Sequence, residues 1–124
     1  ARGEGFLPGR HAIDAVGNGG FRFADMSHRG SIIILPSGIY AWDIAAPSDI
    51  VPSSFDLLYR EARTIDFFLI GTGENIVRLV EPLTWRFRDY GFQFDVMSTL
   101  AAARTYNVLI GEKRRVAAAL IAMP

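Results

Sequence analysis

Cysteine is absent from the 124 residues of this chain, and positive charge is not in excess. The first absence excludes disulfides, thiolate zinc sites, iron–sulfur clusters and a cysteine nucleophile. The charges balance at 13 Lys plus Arg against 13 Asp plus Glu, whereas domains that bind nucleic acid usually have a basic excess. We therefore expect no nucleic-acid partner.

Long apolar runs are also missing. The longest uninterrupted apolar stretch covers residues 116–123, well short of the roughly 18–20 residues that a membrane-spanning helix needs. The first ten residues contain no apolar core of signal-peptide length. We expect a soluble protein without a transmembrane segment, cytoplasmic if its source is bacterial, for which peripheral association with a membrane complex stays open.

Several sequence motifs for catalysis and cofactor binding are not present. The only lysine is Lys113, and no phosphate-binding Gly-Lys-Ser or Gly-Lys-Thr occurs. Gly71 and Gly73 match two glycines of the dinucleotide fingerprint, but Ile76 stands at the third position. The two histidines lack partners at metal-binding spacing, and no serine lies in a Gly-x-Ser-x-Gly elbow. The sequence predicts no cofactor, no metal and no catalytic residue.

The first part of the chain has the pattern of β-hairpins. Short β-branched or aromatic segments alternate with glycine-containing turns, which is typical of hairpin strands. The predicted strands cover residues 11–16, 21–24, 31–35 and 39–43. After a Pro-rich connector, Phe55, Leu58 and Ala62 have helical spacing and predict a short helix.

The second part alternates between strands and helices. Apolar runs predict strands at 65–70, 92–97 and 116–121. One helix is predicted between Glu81 and Gly91, and another from a cap at Ser98 or Thr99 to about residue 110. This order predicts a parallel βαβαβ unit. The predicted class is α/β, a single domain over residues 1–124 with a mixed central sheet and N-terminal hairpins.

One helix interleaves aromatic and basic residues. We interpret Trp85-Arg86-Phe87-Arg88-Asp89-Tyr90 as part of an amphipathic helix with Phe87 and Tyr90 turned inward. The aromatic content of the whole chain, 12%, leaves apolar surface that a protein partner could cover.

Two loops are predicted at the carboxyl edge of the sheet, where α/β proteins commonly bind ligands. Residues 71–73 follow one strand, while Ser98 and Thr99 follow the next and open a helix. Arg104 lies about 9 Å along that helix, at 1.5 Å per residue, within reach of the edge. Amides, hydroxyls and this guanidinium predict a site for a small anion. The alternative is structural, with a tight glycine turn, a Ser98 cap and a surface ion pair of Arg104.

Three segments of the sequence also indicate a family: residues 68–73, 101–109 and 114–121, read as FLIGTG, AAARTYNVL and RRVAAALI. Together they resemble a family of small α/β domains of unknown biochemical function that includes the mitochondrial NADH dehydrogenase (complex I) assembly factor three. The resemblance implies a three-layer β/β/α-type architecture, with an extra β layer from the N-terminal part, and a mitochondrial location for eukaryotic members. It implies no established catalytic residue. The family's motif positions here are Gly71, Thr72, Gly73, Arg104, Thr105, Tyr106 and Asn107.

Two functional hypotheses follow. The first is a non-catalytic interaction or respiratory-complex assembly factor with a protein partner. The second is a small-anion or small-molecule binding protein, or an enzyme, that uses the sheet-edge loops. The candidate ligand or interaction residues are Gly71, Thr72, Gly73, Ser98, Thr99, Arg104, Tyr106 and Asn107.

Overall fold

The computed structural model of the protein describes residues 7–124. The strands in chain order are β1 (Leu7–Pro8), β2 (Ala15–Gly17), β3 (Gly20–Phe23), β4 (Met26–Arg29), β5 (Ile32–Leu35), β6 (Gly38–Ala41), β7 (Phe67–Gly71), β8 (Gln93–Met97) and β9 (Val116–Leu120). The α-helices are α1 (Asp56–Arg60), α2 (Glu81–Asp89) and α3 (Thr99–Gly111).

Six strands form the central sheet, in the order β1-β6-β5-β9-β7-β8. Strand β7 runs parallel to both β8 and β9, while β5 pairs antiparallel with β6 and β9. The predicted mixed α/β sheet with a parallel βαβαβ half is therefore confirmed.

The central sheet separates two apolar cores. Phe68 and Ile70 of β7 face the core that contains α1 and α2, whereas Leu69 between them faces the core under α3. Each residue of β9 is likewise buried. Because helices cover both faces, these strands are continuously apolar rather than alternating.

A second, three-stranded sheet lies on the same side as α3. It consists of β2, β3 and β4 in antiparallel order. Its Phe21 and Phe23, together with Ile13, enter the core that α3 covers. This sheet is the extra β layer that the family resemblance implies, so the expected layered architecture is confirmed.

Several element boundaries differ from the sequence prediction. Residues 11–14 are extended chain and only Ala15–Gly17 form β2, while β4 was not predicted because Met-Ser-His-Arg shows no apolar alternation. The predicted helix near Phe55 shortens to one α-helical turn between 3₁₀ turns, although Phe55 and Leu58 are buried as expected. Within residues 7–124, no helix combines the length and apolar character required to cross a membrane.

Candidate functional site

The loops that follow β7 and β8 meet at one edge of the central sheet. The backbone amide of Thr99 donates to the carbonyl of Gly73 over 2.8 Å, and that of Thr72 donates to the carbonyl of Met97 over 3.0 Å. Parallel pairing of the two strands brings their carboxyl ends together. The structure therefore brings together five of the predicted residues, namely Gly71, Thr72, Gly73, Ser98 and Thr99.

Thr99 is fully buried, and its hydroxyl joins three chain segments. Its Oγ1 accepts a hydrogen bond from the Gly73 amide at 2.9 Å and donates one to the Ile121 carbonyl at 2.7 Å. These bonds link the start of α3 to the loop after β7 and to the end of β9. Both the hydroxyl and the Gly73 amide are thus engaged inside the fold.

The hydroxyl of Thr72 organises the loop that follows. It accepts a hydrogen bond from the Val77 amide at 3.0 Å and lies 2.7 Å from the Asn75 carbonyl, to which it donates. Thr72 itself is buried, whereas Val77 is 41% exposed. The buried threonine therefore fixes the base of an outward-facing loop.

Gly71 and Gly73 are required for different reasons. A Cβ atom on Gly71 would lie 2.8 Å from Thr99 Cα, so the close approach of α3 to β7 leaves no room for a side chain. Gly73 has φ of +101°, a backbone conformation that L side chains rarely adopt, and a Cβ there would meet open space. Gly73 is therefore needed for the conformation of the turn, and Gly71 for the close packing of α3 on β7.

Ser98 is the N-cap of α3. Its side chain accepts a hydrogen bond from the Ala101 amide at 3.3 Å. Arg104 is exposed, and within residues 7–124 it takes part in no ion pair. Of the two residues predicted as caps, Ser98 fulfils that role and Thr99 connects the loops instead.

Tyr106 and Asn107 lie farther along α3, against the segment that precedes β2. Asn107 is about 12 Å from Thr99 along the helix axis, at 1.5 Å per residue. Its side-chain amide pairs with both the N–H and the C=O of Ile13, each at 2.8 Å. The Tyr106 hydroxyl donates to the His11 carbonyl at 3.3 Å, and burial raises the pKa of Tyr106 to about 12. The structure does not bring these two residues to the sheet edge.

A different feature lies between β7 and β8, and only its segment 85–90 was noted in the sequence. Five large apolar side chains in this region are exposed: Ile76 (67%), Val77 (41%), Val80 (67%), Trp85 (56%) and Tyr90 (44%). We call these five the 76–90 surface. They are more than half of the nine large apolar side chains exposed within residues 7–124. Such side chains are thus concentrated in one stretch of the chain.

Trp85 on α2 is accompanied by an arginine. The Arg88 guanidinium carbon lies 5.3 Å from the Trp85 ring centroid and 5.9 Å from that of Phe94 on β8. Both distances are within the range of cation–π attraction, which holds the arginine against the tryptophan. This pair forms an exposed aromatic and cationic surface on the outside of α2.

The prediction for the inward face of this helix is half right. Phe87 is fully buried as predicted, but Tyr90 is 44% exposed and stacks on Tyr59 with ring centroids 4.4 Å apart. Tyr90 is the C-cap of α2 and no longer follows its helical period. The helical spacing therefore predicted the burial of Phe87, and only the folded chain shows that Tyr90 is exposed.

Known proteins resemble this chain over nearly its whole length. An uncharacterized protein of Rhodobacter capsulatus is 38% identical to this chain, and the match covers 99% of this chain and 93% of that protein. The NADH dehydrogenase [ubiquinone] 1 alpha subcomplex assembly factor 3 of Mus musculus is 30% identical over 90% of this chain, which spans 60% of that relative's length.

A solved structure confirms the fold. A crystal structure described as an outer membrane protein from Bartonella henselae superposes with a TM-score of 0.91 at 50% identity, covering 95% of this chain and 99% of that one. The family model described as "protein of unknown function (DUF498/DUF598)" matches residues 13–121. The resemblance noted in the sequence is thereby confirmed, and the chain belongs to the DUF498/DUF598 family.

Proposed function

We propose that this protein is a non-catalytic interaction domain that acts in the assembly of a protein complex and contacts its partner through the 76–90 surface. The mouse relative is named as an assembly factor of NADH dehydrogenase, which supports a partner of the respiratory-complex type. The bacterial relative carries no functional name, so the identity of the complex is part of the proposal.

The observation that carries the proposal is the exposure of Trp85 beside Arg88. Tryptophan and arginine are among the residues that contribute most to protein interfaces. Here the tryptophan is 56% exposed, and the guanidinium covers its ring at 5.3 Å. Leaving the Trp85 ring and the other exposed apolar side chains of this stretch in water is unfavourable, and a partner would remove that cost.

The geometry of the sheet edge also supports an interaction domain over an anion site. Buried Thr99 uses its hydroxyl within the fold, and the amides of Thr72 and Gly73 donate to protein acceptors. These groups are therefore not available to a ligand without rearrangement. In this proposal the candidate edge residues act indirectly, because they hold the loop that carries Ile76 and Val77.

Tyr106 and Asn107 have a structural role in the proposal. Their side chains attach the segment 11–13 to α3 and so fix the three-stranded sheet on the central one. A cytoplasmic location in a bacterial cell and peripheral contact with a membrane complex stay predictions that accompany this function.

Affinity purification of the tagged protein from its own cells, at low salt and with mass spectrometry of the bound proteins, tests the proposal. We expect a stoichiometric partner that is lost with Trp85→Ala and weakened with Arg88→Ala. The matched control is Val108→Ala, since Val108 is 59% exposed on α3, the helix on the opposite face of the central sheet.

Thermal melting of all three variants separates interaction from stability, because truncating an exposed side chain should leave the melting temperature nearly unchanged. Retention of the partner by folded Trp85→Ala would contradict the use of this surface. A small anion that copurifies without any protein, and is lost with Arg104→Ala, would instead favour the alternative hypothesis of a ligand site at the sheet edge.

A further inference from the structure

The outer face of the three-stranded sheet carries two arginines close together. In the register of this sheet, Arg22 lies opposite Ser27, and Gly20 lies opposite Arg29. Phe21 and Phe23 point into the core, so the alternate residues of β3 and their partners face outward. Arg22 and Arg29 are therefore diagonal neighbours on one surface, at a typical separation of about 7–8 Å.

This face is concave because its other positions carry little or no side chain. A groove of about 520 Å³ lies here, within the range of roughly 300–1,000 Å³ for small-molecule pockets. Glycines at positions 17 and 20 and an alanine at position 15 contribute to its lining, where a larger residue would fill it. At Gly20 a Cβ atom would lie 2.0 Å from the His28 carbonyl oxygen, so this position excludes any side chain.

The two arginines of the groove have no acidic partner among residues 7–124. In this part of the chain no carboxylate lines the groove, and neither arginine forms an ion pair. The Arg22 Nη1 atom donates to Ser27 Oγ at 2.7 Å, which fixes the guanidinium and leaves its other donors available. Like charges at cross-strand positions repel each other, and an anion between them would reverse the sign of this interaction.

We infer that this groove binds the phosphate group of a small phosphorylated molecule. Arg22 and Arg29 would hold the phosphate oxygens, since a guanidinium presents paired N–H donors that match them. The Asn18 side chain at the groove offers further polar contacts. The groove is large enough for an organic group beside the phosphate, which favours a phosphate ester over the free ion. This inference stands independently of the interaction function proposed above.

Titration of the ¹⁵N-labelled protein at low ionic strength tests the inference, with glucose 6-phosphate, inorganic phosphate and glucose as probes. We expect saturable shift changes in the amides of residues 17–20 and 27–29 with glucose 6-phosphate, weaker ones with inorganic phosphate and none with glucose. Arg22→Ala and Arg29→Ala should each weaken binding about tenfold, the loss expected for one charge-assisted contact. The matched control, Arg63→Ala, removes an exposed arginine from the 3₁₀ turn that precedes β7 and should bind normally.

A second measurement uses stability. Without phosphate, Arg29→Ala should melt at or slightly above the temperature of the wild type, because it removes a like-charge repulsion. Adding glucose 6-phosphate should raise the melting temperature of the wild type but not that of a variant that combines Arg22→Ala with Arg29→Ala. Equal affinity for inorganic phosphate would overturn the assignment of an ester. No saturation up to about 10 mM, or identical binding by the arginine variants, would overturn the site itself.

Discussion

Replacing Thr99 with valine tests whether the sheet edge is a structural junction. Valine keeps the shape of the side chain and removes only the hydroxyl, so the Gly73 amide and the Ile121 carbonyl both lose their partner. The hydroxyl of Thr99, which is fully buried, lies 2.9 Å from the Gly73 amide nitrogen and 2.7 Å from the Ile121 carbonyl oxygen. A buried polar group left unpaired costs about 1–3 kcal/mol, so for the two groups we expect a loss of about 2–6 kcal/mol in the free energy of unfolding.

Thermal melting followed by circular dichroism measures this loss. For a chain of this length the predicted change corresponds to a fall of roughly 10–20 °C in Tm. Thr99→Ser retains the hydroxyl and should lose only about 1 kcal/mol, for the missing methyl group. Ser98→Ala removes the helix cap and should also cost about 1 kcal/mol. A Tm for Thr99→Val within about 2 °C of the wild type would refute the reasoning, because the hydroxyl would then be dispensable to the fold and free for a ligand.

Further predictions concern packing, the attachment of the N-terminal segment and pH. Gly71→Ala should lower the free energy of unfolding by about 1–3 kcal/mol in urea denaturation, because its Cβ would lie 2.8 Å from Thr99 Cα; wild-type stability would show that α3 can move away from β7. Asn107→Ala should speed hydrogen exchange at the Ile13 amide, and unchanged exchange would mean that another group replaces the side-chain amide. Burial raises the pKa of Tyr59 and Tyr106 to about 12, above the ordinary value of 10.0, so the folded state keeps protons that the unfolded state releases. Stability from these groups is complete below pH 10 and falls as pH rises towards 12, by about 1.4 kcal/mol per pH unit for Tyr106 and by less for Tyr59, which is more accessible to solvent. Tyr106→Phe should flatten this fall, and an unchanged slope would exclude Tyr106 from it.

Local signals predicted the second half of the chain correctly. Apolar runs predict the strands after residue 65, while a Pro at the start of α2 and a serine cap on α3 predict the two helices. Each signal acts within one turn or one strand, so a single sequence suffices to read it. The parallel part of the mixed sheet then follows, because a strand, a helix and a second parallel strand pack as a right-handed crossover.

Other features of the fold depend on contacts between residues far apart in the sequence, which local signals do not predict. Asn107 lies 94 positions from Ile13 along the chain, yet its amide replaces a backbone partner there. Nothing in the sequence near either residue indicates this pairing. Strand β4 is polar and forms because β3 offers it a hydrogen-bonding edge, which local propensity does not reveal.

The candidate site shows the same division. The sequence by itself determined that residues 71–73 and 98–99 meet at the carboxyl edge, since that follows from parallel strand order. Only the tertiary structure decided that Thr99 turns its hydroxyl towards Gly73 and Ile121, and that Tyr90 stays 44% exposed although the helical spacing predicts it inward. The direction and exposure of a side chain depend on every element packed around it, and those elements come together only in the folded chain.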